Sequence, residues 1–127
     1  MASCTTLSEH SVTPHDYSGV RLYQVFCASC HGLTGHGDGP VAPLVQAHVP
    51  DLTRISERHG GQFPTDELFR IIDGRTAVPT HGSREMPVWG FEFYGDNTRD
   101  AIARQQATET VTRLVDYLHT IQPGYYY

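Results

Sequence analysis

Cys27-Ala28-Ser29-Cys30-His31 sets two thiols two residues apart and an imidazole directly after the second. This is the pattern of c-type haem attachment. Each thiol adds across one vinyl group of the macrocycle, and one tight turn of backbone matches the vinyl spacing. The following histidine then offers a ring nitrogen to the iron. Three of the five positions are set by that chemistry. A zinc site needs four ligands, with a second Cys or His pair at short spacing, and the sequence has none. A thioredoxin-like redox pair belongs beside a βαβ pattern, which is also missing. Cys27 and Cys30 are therefore the expected covalent anchors of one haem c, with His31 as an axial ligand.

The sequence on the N-terminal side leads into this motif. Residues 1–12 are polar and aperiodic and read as an arm or tether. A single haem domain is expected over 13–127. Thr13-Pro14-His15-Asp16 has the features of a helix start. Gly19, Leu22, Tyr23, Phe26 and Cys27 follow at helical spacing. Glycine inside a helix is locally unfavourable, so Gly19 marks a place where another helix crosses closely.

On the C-terminal side, Gly32, Gly35, Gly37 and Gly39 make an irregular loop suited to lying against the haem edge. No strand precedes it and no Lys-Ser/Thr follows, which argues against a phosphate loop. A carbonyl of the following segment, from Pro40 or Pro43, is expected to accept the second ring N–H of His31 and fix the imidazole. Asp51 to Arg58 reads as a short helix or turn ended by Gly60-Gly61. Thr65-Asp66-Glu67 opens a helix with Leu68, Phe69, Ile71 and Ile72 on its apolar side and Gly74 as its stop.

Met86 is the one methionine besides the first residue and lies in a loop before Pro87. Given a haem motif, it is the candidate second axial ligand, a soft thioether that favours ferrous iron. His81 is its nearest competitor, followed by His36, His48 and His59. Trp89 packs on the haem, donates to a propionate, or is an ordinary core aromatic. Arg75 and Arg84 are candidate propionate partners, against a background expectation of plain surface arginines. Arg99 to Gln106 reads as a short helix. A last helix opens at Thr108-Glu109 with Val111, Leu114, Val115, Leu118 and Ile121 in one stripe, and Pro123-Gly124 stops it.

The bulk composition narrows the partners. The 127-residue chain carries a formal charge of −5, and all nine of its basic residues are arginine. Two ionised propionates would bring the total to about −7. No basic stripe suggests nucleic acid, and the absence of lysine removes the usual means of docking acidic redox partners. With Cys27 and Cys30 used by haem, Cys4 remains. It is read either as the lipidated residue of a trimmed lipoprotein, tethering the domain to a membrane, or as incidental. Covalent haem attachment takes place outside the bacterial cytoplasm, so a periplasmic or outer-face location is expected.

Taken together, the haem motif, Met86-Pro87 and the two terminal helices resemble class I cytochrome c, over nearly the whole chain from about Thr13. Gly19 and Tyr23 match that family's N-terminal helix, and Leu114-Val115-Asp116-Tyr117-Leu118 matches its C-terminal one. Cys27 through Gly39-Pro40, with Met86 to Gly90, is similar to small bacterial monohaem cytochromes, free or fused to respiratory subunits. The resemblance implies an all-α, loop-rich fold of three to five short helices around one covalently bound haem. It implies a one-electron carrier with transient redox partners rather than an enzyme. Two other roles stay open: a haem subunit dedicated to one larger oxidoreductase, or a gas-sensing or peroxidase-like protein if Met86 leaves the iron open.

Overall fold

The computed structural model describes residues 12–75, 85–93 and 100–125. Residues 1–11 of the N-terminal arm, with Cys4, and also His81 and Arg84, lie outside the described residues. Within them the secondary structure is helical, without strands. Three helices exceed one turn: α1 (Gly19–Phe26), α4 (Thr65–Asp73) and α6 (Ala101–Thr120). Three are single turns: α2 (Ala28–His31), α3 (Ile55–Arg58) and α5 (Trp89–Glu92). This is the small all-α architecture expected from the sequence.

The start of α1 differs from the sequence reading. Thr13-Pro14 opens only a 3₁₀ turn, Pro14–Asp16, in which the Thr13 amide donates to Asp16 Oδ2 at 2.8 Å. The helix proper begins at Gly19, where Ser18 Oγ accepts the Arg21 amide. Gly19 does sit at a close crossing. A Cβ there would stand 2.6 Å from the Arg113 carbonyl oxygen and 3.1 Å from Tyr117 Cβ on α6.

The last helix is also longer than expected. The segment read as Arg99–Gln106, of which Arg99 lies outside the described residues, runs from Ala101 into the helix read from Thr108 onward as one continuous α6. Asp100 caps it, its Oδ1 accepting the Ile102 amide at 2.9 Å. Ala101 to Gln106 are mostly strong helix formers. Thr108 starts nothing, because its hydroxyl donates back to the Arg104 carbonyl inside the helix.

The core lies where α1 crosses α6. Leu22 and Tyr23 of α1 meet Val111, Leu114, Val115 and Leu118 of α6, all at most 3% exposed. Leu68 and Ile72 of α4 and Ile55 of α3 join the same cluster. As the sequence indicated, α4 begins at Thr65 and stops at Gly74, which adopts φ +67° and caps the helix in the left-handed conformation.

Gln122, just beyond α6, is buried and ties three carbonyl and amide groups together. Its Oε1 accepts the Ser56 amide at 3.1 Å. Its Nε2 donates to the Leu52 and Leu118 carbonyls at 2.7 and 2.8 Å. The C-terminal end is thereby fastened to the 52–56 segment that leads into α3.

Candidate cofactor site

The haem motif lies where α1 gives way to α2. The Cys27 amide closes α1 by donating to the Tyr23 carbonyl at 2.9 Å. The Cys27 carbonyl then accepts from both Cys30 and His31, at 3.3 and 2.9 Å, and so starts the next turn. Residues three and four apart on a helical turn share a face. Cys27, Cys30 and His31 accordingly all line one cavity of about 520 Å³. Ala28 is buried and Ser29 is exposed, its carbonyl accepting the Val41 amide.

The electrostatics distinguish this site from a redox thiol pair. Burial, then the neighbouring Cys30, pushes the Cys27 thiol up to about 12. A reactive Cys-x-x-Cys works by a depressed thiol pKa, the reverse of what is found here. Neither thiol is in a disulfide. Among the described residues, no cluster of three or more His, Cys, Asp or Glu side chains is arranged to hold a metal ion.

His31 is held by a carbonyl, but not by Pro40 or Pro43. Its Nδ1 lies 3.2 Å from the Pro50 carbonyl oxygen. A carbonyl only accepts, so Nδ1 carries the proton and Nε2 is the nitrogen left for a metal in the neutral ring. Burial, partly opposed by the Pro50 bond, holds His31 below the usual imidazole range and favours that neutral form.

The reason Pro50 takes the role lies in the glycine loop. Gly37, at φ +83°, lets the loop pass so close to residues 49–50 that a Cβ would stand 2.5 Å from the Val49 carbonyl oxygen. The Gly37 amide donates to the His31 carbonyl and the Leu52 amide to the Gly35 carbonyl. The loop thus carries Pro50 to the imidazole. Pro40 and Pro43 remain exposed outside the cavity wall.

The remaining wall is mostly apolar. Leu68, Ile71 and Ile72 of α4 contribute, with Leu114 and Leu118 of α6. Ile71, 48% exposed, presents its side chain to this cavity. Met86 and Trp89 line the same cavity. Trp89 belongs as well to an aromatic cluster, with ring centroids 5.5 Å from Phe26 and 5.6 Å from Phe93. Cavity wall and aromatic core are therefore both correct descriptions of it.

Arg75 is not at the cavity. Its Nε donates to Asp73 Oδ1 at 2.6 Å and its Nη2 to Thr108 Oγ1 of α6 at 3.0 Å. The reason is local: the left-handed turn at Gly74 folds Arg75 back onto a buried carboxylate, and a buried carboxylate needs a charged partner.

The cavity's guanidinium is instead that of Arg58, which lines it with the imidazoles of His59 and His48 and the carboxylates of Glu67 and Glu85. Arg58 Nη1 donates to the Asp51 carbonyl at 2.8 Å, and His59 Nδ1 donates to the Ile55 carbonyl at 2.8 Å. Arg58 was missed in the sequence, where nothing sets it apart from the chain's other arginines. His36 points elsewhere, to Thr34 Oγ1.

These residues fit a haem. The walls are mostly apolar, two thiols and a neutral imidazole share one face, a thioether lies in the same cavity, and a guanidinium stands at its edge. Comparison with known proteins points the same way. The family model described as cytochrome C oxidase, cbb3-type, subunit III matches residues 16–104. No curated protein matches the chain.

Proposed function

Because the chain belongs to the family of cytochrome c oxidase, cbb3-type, subunit III, whose members bind covalently attached haem c and carry electrons, we propose that it is a monohaem carrier with His31 and Met86 as the two axial ligands. The observation that carries this reading is one mostly apolar cavity that Cys27, Cys30, His31 and Met86 line together. When bound, the haem iron supplies a ferric/ferrous couple.

The chain's own residues set the conditions of that couple. Cys27 and Cys30 anchor the group. The Pro50 carbonyl holds His31 in the tautomer with Nε2 free and makes it a stronger donor. Met86 supplies a soft sulfur that favours the reduced state. With His31 and Met86 both holding the group, no position would be left for substrate, and the chemistry supplied would be one-electron exchange with a transient partner. Small wet contacts suit such exchange.

The reading places the domain in the bacterial periplasm or at the outer face of the cytoplasmic membrane, within a respiratory or periplasmic redox chain, with Cys4 read either as a lipid tether or as incidental. No helix among the described residues is long and apolar enough to cross a membrane. The family's oxidase-subunit description favours one second reading, a domain wired to a single large oxidoreductase. Co-purification with a stoichiometric oxidase would select it over a diffusing carrier.

The decisive experiment is the visible spectrum of the haem-loaded protein, oxidised and reduced, with and without carbon monoxide. The expected result is low-spin iron, a weak long-wavelength methionine-to-ferric band and no carbon monoxide shift, with the band lost in Met86→Ala. Ready carbon monoxide binding by the unsubstituted protein would overturn the carrier in favour of a sensor or peroxidase-like protein.

A further inference from the structure

Asp73 and Arg75 form a nearly buried ion pair that the cofactor site does not use directly. Their side chains are 6% and 16% exposed. The Arg75 amide also donates to Asp73 Oδ2, at 3.2 Å. The pair joins the end of α4 to α6 through Thr108. A third element rests on it. Gly90 of α5 lies so close that an added Cβ would meet Asp73 Oδ1 and would stand 2.5 Å from Arg75 Nε and 2.6 Å from Arg75 Cγ. The backbone of α5 is therefore seated on the pair, with no room for even a methyl group between them.

Alpha5 is the element that follows Met86. Its first turn is closed by the Val88 and Trp89 carbonyls, which accept from Phe91, Glu92 and Phe93 at 2.9–3.1 Å. Trp89, next to Gly90, lines the cavity together with Met86. The two sides of the site are thus held differently. On the His31 side, anchors and ligand share one turn of backbone. On the Met86 side, a neutral thioether depends on the seating of its segment.

We propose that the Asp73–Arg75 pair is a positioning device for Met86, fixing where the 85–93 segment lies against α4 and α6. Charge-assisted hydrogen bonds are directional, so the pair defines one seat, whereas apolar packing alone would tolerate sliding. The proposal rests on Met86 being an axial ligand.

The test uses haem-loaded protein carrying Arg75→Leu, Arg75→Lys, Gly90→Ala or Met86→Ala. In Arg75→Leu and Gly90→Ala, the long-wavelength band weakens and the ferrous form begins to bind carbon monoxide. Amide exchange at Phe91, Glu92 and Phe93 accelerates by about a hundredfold in Arg75→Leu, as expected for loss of one member of a buried pair, while Leu22 and Cys27 keep their protection. Arg75→Lys restores part of the band. Should Arg75→Leu fail to load haem, Gly90→Ala and Arg75→Lys decide by the same readouts. If the band vanishes in Met86→Ala but persists in Arg75→Leu and Gly90→Ala with unchanged exchange, the positioning role is overturned and the ligand reading stands. If the band persists in Met86→Ala, the ligand reading itself falls, and the proposal with it.

Discussion

Replacing Gly19 by alanine tests the crossing on which the core is built. The added Cβ would meet the Arg113 carbonyl oxygen at 2.6 Å, about 0.8 Å inside ordinary contact, and Tyr117 Cβ at 3.1 Å. Neither atom is the tip of a flexible side chain; both belong to the frame of α6. The helices must separate, and the Leu22–Tyr23 contacts with Val111, Leu114 and Val115 loosen with them. Overpacking of this kind costs about 1–3 kcal/mol. The better helix propensity of alanine offsets up to about 1 kcal/mol. With the full offset a net loss of up to about 2 kcal/mol follows, which for a domain of this size lowers Tm by up to roughly 10 °C. The assay is thermal unfolding of the haem-loaded ferric protein followed by far-UV circular dichroism. Val20→Ala, at the neighbouring half-exposed position, is the control for propensity without crowding. A Gly19→Ala protein as stable as the Val20→Ala protein or more so would refute the close-crossing argument.

Two further predictions address the segment between the glycine loop and α3. Gln122→Leu leaves the Ser56 amide and the Leu52 and Leu118 carbonyls without their partner, and should lower stability by about 2–4 kcal/mol, measured by chemical denaturation, with faster exchange at Ser56. Asp51 is held below the usual carboxylate range chiefly by the Thr53 hydroxyl and then, against some desolvation, by the Thr53 amide. A depressed carboxyl contributes stability above its unfolded pKa of about 3.9 that is lost as pH falls through the lower folded value. Thr53→Val should therefore narrow the difference in stability between about pH 5 and about pH 3; an unchanged difference would show that Asp51 titrates independently of Thr53.

What the sequence disclosed were features with a local physical signature. The Cys27–His31 spacing carries its own stereochemistry, Gly19 is conspicuous inside an apolar helix, and the α4 limits follow from Thr65 and Gly74. The apolar stripe of α6 was equally plain, though its start was not: Thr108 looked like a cap, and only the Asp100 cap shows it to be interior. The features that escaped were tertiary. Any carbonyl between residues 40 and 50 could have served His31, and Pro50 is selected by the close passage of Gly37. Arg75 resembled a propionate partner until the turn at Gly74 delivered it to Asp73. Arg58 and Gln122 had no distinguishing neighbours in the chain, since their roles come from groups that approach in space.

The α1–α6 crossing also has a bearing on the order of events during biogenesis. The anchoring thiols lie in the first quarter of the sequence, whereas the residues that bury Leu22 and Tyr23 lie in the last. Gln122, which fastens the 52–56 segment, comes later still. The cover over the motif therefore depends on the two ends of the chain meeting. Until they meet, Leu22 and Tyr23 lack their partners and the turn that carries Cys27 and Cys30 has no completed fold behind it. A chain held unfolded thus keeps both thiols open to attachment, and the α1–α6 crossing is the step that closes the site.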